Sequence, residues 1–204
     1  MNLEPPDLWP PIGLSKKEHE HTKYLNAVVF SLKHFIEKFD AALELYRFSR
    51  SKPANIKRPL AWQWQWFAIH AGAWEIWNTR EYFNLVPRHI RKCPTVARHV
   101  NETAMTDALT LFDKHFPGFA MLRNAIGHES AVALSRGGYT LSDNLYAGPQ
   151  LKEGDRYELT NKGERFYFDM TTETLTKLTE VIATYWSAFR PVEHAFDEIG
   201  RSDE

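Results

Sequence analysis

Residues Arg123-Asn124-Ala125-Ile126-Gly127-His128 set a permanent cation, a planar amide and a titratable imidazole in one short run. A guanidinium suits phosphate, and an imidazole can move a proton near neutral pH. On a helix Asn124 and His128 share a face, four residues apart, and Arg123 fans out beside them. The chemistry within reach is proton transfer beside a bound phosphate. A structural reading stands beside this one: Arg123 in an ion pair, Asn124 a surface amide, His128 near the negative end of a helix.

The elements that must position these residues are mostly helical. Residues 1–14, with Pro5, Pro6, Pro10, Pro11 and Gly13, read as an extended leader. Ser15-Lys16-Lys17-Glu18 has the capping-box form. Leu25, Val28, Val29, Leu32, Phe35, Ile36, Phe39, Leu43 and Tyr46 then recur at three- and four-residue steps, predicting one long helix to about Arg50. It would span roughly 50 Å at ~1.5 Å per residue, and helices that long pack along other long helices. Pro53 and Pro59 break it. A second helix is expected from about Leu60 to Phe83, a short irregular link between Pro87 and Pro94, and a third helix from about Thr95 to His115. After Pro117-Gly118, a short fourth helix carries the motif, with Gly127 suited to a left-handed cap.

Between Arg136 and Met170 the pattern changes. Gly137-Gly138, Gly148-Pro149 and Gly154 are turn signals, and Tyr157–Thr160 and Arg165–Met170 alternate around Asn161-Lys162-Gly163 as a β-hairpin does. Phe166, Phe168 and Met170 are expected inward, and Arg165, Tyr167 and Asp169 outward. Thr171 can cap a last helix lined by Leu175, Leu178, Ile182, Tyr185, Trp186 and Phe189, which Pro191 bends.

The Arg, polar residue, three residues, His pattern of 123–128 resembles the signature of the HEPN superfamily. The resemblance implies an all-α domain, with the motif on a late helix of a four- or five-helix bundle after two long antiparallel helices. It also implies a metal-independent ribonuclease acting as a homodimer, a toxin or defence component that an antitoxin protein could hold in check. Such cleavage needs a base for the ribose 2′-hydroxyl, an acid for the leaving 5′-oxygen and a cation for the charged phosphorane. One imidazole cannot make both proton transfers at one moment, so the resemblance implies a composite site across the two-fold axis, with one His128 neutral, its partner protonated, two Arg123 around the phosphate and Asn124 orienting His128 or the phosphate. The likeness extends over residues 15–198 in layout and 122–128 in specific motif. A non-catalytic HEPN-like helical binding or dimerisation module, with RNA, a nucleotide or a protein as partner, is the alternative.

Two basic stretches could receive RNA. Arg47, Arg50, Lys52, Lys57 and Arg58 occur within a dozen residues with no acid among them. Arg88, His89, Arg91, Lys92, Arg98 and His99 form a second run, free of acids from Asn84 to Asn101. Phosphate binding there would be salt-dependent and largely sequence-blind; a solvated basic turn is the plainer reading of each. Trp62-Gln63-Trp64-Gln65-Trp66 could stack bases, but with Phe67, Ala73, Trp74 and Trp77 it reads better as packed core; aromatics on more than one face make this helix central or interface-forming. His19 and His21 diverge by about 200° on a helix, which argues against a shared metal. His70 and Glu75 could support the motif. Glu129-Ser130 builds no persuasive triad with His128, and no glycine-rich phosphate loop is present.

Composition sets the outer bounds. Of 204 residues, 25 are Lys or Arg and 26 Asp or Glu, giving a net charge of −1, which excludes a globally basic nucleic-acid binder but not a local patch. Cys93 stands alone, so neither an intrachain disulfide nor a multi-thiol zinc cage can form. Met1–Gly13 lacks a charged-then-apolar targeting pattern, and no apolar run suggests a membrane span. The expectation is a cytoplasmic protein without cofactor or membrane partner. Its fold is an all-α bundle of about five helices spanning 15–198, with a β-hairpin inserted at about 139–170 and an acidic tail at 199–204.

Overall fold

A computed structural model of the chain describes residues 4–51, 57–119, 146–152, 155–161 and 164–202. Helix α1 runs Lys16–Arg50, α2 Arg58–Ile90, α3 Pro94–His99 and α4 Glu102–His115. Strands β1 (Tyr146–Lys152), β2 (Arg156–Asn161) and β3 (Glu164–Asp169) follow, then α5 (Thr172–Ser187) and α6 (Arg190–Ser202). The fold is an all-α helical bundle with a small antiparallel insertion before the last helices.

Several boundaries differ from expectation for identifiable reasons. Ser15 caps α1 through its hydroxyl, 3.3 Å from the Glu18 amide. The reciprocal half of the expected capping box is diverted, because Glu18 Oε1 instead accepts the Thr95 amide at 2.7 Å. Helix α2 continues past Pro87 to Ile90, although the proline has no N–H to give the Phe83 carbonyl one turn back. The expected third helix is two. Val100 turns extended (ψ 137°), and the Asn101 side chain starts α4 by accepting the Ala104 amide at 3.1 Å. Thr171 caps α5 as expected, 3.3 Å from the Thr174 amide.

The expected hairpin is β2–β3, paired from Arg156↔Asp169 to Asn161↔Glu164. A third strand, β1, lies on the other side of β2. Its Gly148-Pro149, read from sequence as a turn, sits where the β1–β2 register shifts between Ala147 and Gln150. A proline is tolerated on an edge strand at such a bulge. As expected, Phe168 and Met170 are buried and Tyr167 is exposed. Asp155 enters β2 in the left-handed region (φ 65°), a conformation Asp tolerates better than most residues.

The chain forms two compact units, each built from segments remote in sequence. The first comprises the residues up to Ile36, Asn78–Phe112 and those from Leu178 onward. Its core holds Leu25, Val29 and Leu32 of α1 with Phe83, Phe112, Ile182, Tyr185 and Trp186. Tyr185 stacks on Phe83 at 3.9 Å, nearly parallel, and Trp186 Nε1 donates to the Val29 carbonyl at 3.0 Å. Here α1 and α2 run antiparallel: Phe35 meets Tyr82 while Tyr24 meets His89. The leader is anchored within this unit, with Leu8 fully buried, its amide donating to Asn26 Oδ1 and the Asp7 amide donating to Glu193.

The second unit comprises Glu37–Trp77 and the described part of Asp113–Lys177. Phe39, Leu43 and Tyr46 of α1, Ala68, Ile69 and Ile76 of α2, and Tyr157, Phe168 and Met170 form its core. The two helices are again antiparallel, Phe48 stacking on Trp64 and Phe39 approaching Gly72. A Cβ at Gly72 would stand 3.0 Å from Met170 Sδ and 3.2 Å from the Phe39 ring, so glycine allows that close approach. No described helix is long and apolar enough to cross a membrane.

Candidate functional site

In the second unit the last turns of α1 carry Tyr46, Arg47 and Arg50. Together with Asp155, Met170, Thr171 and Thr172 they line a cavity of about 310 Å³. Tyr46 is almost fully buried and its hydroxyl donates to Asp155 Oδ1 at 2.9 Å. Burial first, then the carboxylate it serves, pushes the Tyr46 phenol well above its ordinary value, so it remains a proton donor. Arg50 meets the same carboxylate at 3.2 Å. Arg47 pairs with Glu44 at 2.6 Å and donates to the Thr172 hydroxyl.

The first basic stretch is therefore not free of acids in space. Each of its two cavity arginines has a carboxylate partner, Glu44 one turn back and Asp155 from a distant segment. About half of each guanidinium side chain is still exposed, and each keeps donors that these pairs leave unused. Among the described residues the cavity lining has no imidazole. Lys57 and Arg58 are exposed at the start of α2; Lys52 lies outside the described residues.

The second stretch lies in the first unit. Arg88, Arg91, Lys92 and Arg98 are all exposed, while His89 turns inward and stacks on Tyr24 at 4.0 Å, with His21 at 5.9 Å. Burial, then Lys92 and His21, hold the His89 imidazole below its ordinary pKa, favouring the neutral ring. Glu18 reaches into this region through Thr95, so an acid remote in sequence accompanies this run too. Cys93 is buried, its thiol 3.6 Å from the Thr22 hydroxyl; burial raises its pKa and keeps it protonated. Among the described residues no three His, Cys, Asp or Glu side chains converge as metal ligands.

The tryptophan run departs from its expected role as core. Trp62, Phe67 and Trp74 are exposed, and Trp64, Trp66 and Trp77 half-buried, while the buried side of α2 in this unit is Ala61, Ala68, Ile69, Ala73 and Ile76. Small and aliphatic residues took the core, leaving the large rings outside. Glu75 is buried and His70 half-buried. Arg123, Asn124 and His128, with Gly127, Glu129, Ser130 and the helix expected to carry them, lie outside the described residues. Asp155 and Thr172 were missed from sequence, since nothing local ties either to an arginine more than 100 positions earlier.

No family model matches the chain, and no curated protein or solved structure is similar to it.

Proposed function

We propose that the chain is a HEPN-like, metal-independent endoribonuclease that acts in the cytoplasm as a homodimer. Its composite site takes Arg123 and His128 from both subunits, with Asn124 orienting the imidazole or the phosphate. The observation that carries this reading is the Arg123-Asn124-x-x-x-His128 spacing, in a chain whose described part is a helical bundle opening on two long antiparallel helices. The exposed cations Arg47, Arg50, Lys57 and Arg58 support it as a route for the RNA backbone, as do Arg88, Arg91, Lys92 and Arg98. A toxin with a dedicated antitoxin partner is the biological setting the resemblance suggests.

The test is cleavage of a single-stranded RNA in the presence of a chelator. Wild-type protein cuts, and Arg123→Ala and His128→Ala each lower the rate at least 100-fold, a typical scale for removing a proton-transfer or charge-stabilising group. Equal cleavage by His128→Ala and wild type would rule the assignment out. A second reading, a non-catalytic binding or dimerisation module, is favoured by one observation: the solvent side of α2 displays Phe67 and Trp74, side chains suited to a partner rather than to water.

A further inference from the structure

We propose that the outward face of α2 in the second unit is a homotypic docking surface, closed by the same face of a second copy of this chain. The face is read from spacing and exposure. Leu60, Phe67 and Trp74 stand seven residues apart and are 41%, 67% and 44% exposed. At 3.6 residues per turn such positions fall on one narrow stripe. Ala71 and Gln63, also exposed, lie on the same side. Trp77 lies 4.8 Å from Trp74 and widens the patch, and Phe48 of α1, half-exposed and stacked on Trp64, extends it on the other flank.

Charge identifies the occupant. From Pro59 to Trp77 the only charged residue is Glu75, and it is buried. The exposed stripe is thus neutral along roughly five turns. A two-fold axis brings each surface against its own copy, so an unpartnered charge near the axis meets its like, and this stripe presents none. A nucleic acid would lay phosphates along the same stripe and meet no cation on it, since Lys57 and Arg58 stand only at its end. Area agrees. Aromatics bury about 150–250 Å² each when covered, so the half-exposed rings and Leu60 offer roughly 400–500 Å² per copy, and a polar rim brings this near the ~800 Å² per partner of a stable dimer.

The surface deepens the dimeric reading above without depending on the chemistry, because association is measured without RNA. Sedimentation of the full chain at micromolar concentration is expected to show two 23.8 kDa copies. Phe67→Glu, and the smaller Ala71→Glu, should weaken association at least 100-fold while keeping the helical circular dichroism. Trp62→Glu, at an exposed position 140° around the helix from Phe67, should leave the dimer intact. A dimer that fails to cut RNA would support this surface and remove the nuclease. A wild-type chain that stays single at 50 µM would overturn the surface. So would dimers unaffected by both stripe substitutions, dimers lost to Trp62→Glu as readily, or a Phe67→Glu protein that loses RNA binding with no change in mass.

Discussion

The Tyr46 hydroxyl and the Asp155 carboxylate, 109 residues apart in sequence, meet at 2.9 Å. The bond ties the end of α1 to the start of β2, and Arg50 meets the same carboxylate at 3.2 Å. The donor is buried and the acceptor charged, so Tyr46→Phe should cost about 1–2 kcal/mol of unfolding free energy. Arg50→Ala removes only a largely solvated ion pair and should cost less than ~1 kcal/mol. Urea denaturation of the two variants checks the order; a larger loss for Arg50→Ala would contradict it.

Tyr185 presents the opposite case. It is fully buried, and its hydroxyl has no hydrogen-bond partner among the described residues. An unsatisfied buried hydroxyl costs on the order of 1–3 kcal/mol. Tyr185→Phe keeps the ring stacked on Phe83 and removes that cost. It should be neutral to stabilising, by up to about 1 kcal/mol, as read from the thermal midpoint. A clear loss of stability would mean that the hydroxyl is satisfied.

Stability should fall at both ends of the pH scale. Burial raises the Tyr46 and Tyr185 phenols above their unfolded pKa of about 10. Their contribution is complete below that pH and is lost as pH rises beyond it. His89 is shifted the other way, below its ordinary value, by burial, Lys92 and His21. The fold favours its neutral ring, so stability is complete above about pH 6.5 and declines as the pH falls below it. His89→Gln should flatten the acid limb of a denaturation-midpoint profile and leave the alkaline limb unchanged. An unchanged acid limb would remove His89 as its source.

Gly72 is a packing constraint inside a helix. Alanine normally gains about 1 kcal/mol over glycine there. At this position its Cβ would crowd Met170 and Phe39, so Gly72→Ala should forfeit that gain. Gly72→Val should destabilise by roughly 2–3 kcal/mol. A Gly72→Val protein as stable as wild type in urea would show that the approach is looser than the distances indicate.

The parts of the fold legible in sequence are those carried by periodicity and local caps. Helix α1, the β2–β3 hairpin and the Thr171 cap of α5 follow directly from spacing. The Asn101 break was also written locally, as an Asn before Glu102-Thr103-Ala104, but the apolar repeat on both sides hid it. Strand β1 was masked by Gly148-Pro149, whose turn chemistry is equally compatible with a bulged edge. Burial on α2 departs from expectation because ring size suggests a core, whereas the side of the helix that closes on Phe39 and Met170 at Gly72 is filled by Ala68, Ile69, Ala73 and Ile76. Of the candidate site, the cations were legible and Glu44, three residues before Arg47 on one helix, lies within a local pattern, whereas Asp155 finds Arg50 only through the fold.

A composite site makes a quantitative demand on mixed dimers. When wild-type and His128→Ala subunits are mixed at constant total concentration and allowed to exchange, only dimers with two intact imidazoles should cut RNA. Chelator-resistant cleavage should therefore follow the square of the wild-type fraction, with equal mixing leaving about a quarter of the activity. A linear dependence, or no cleavage by the wild-type protein, would contradict the account.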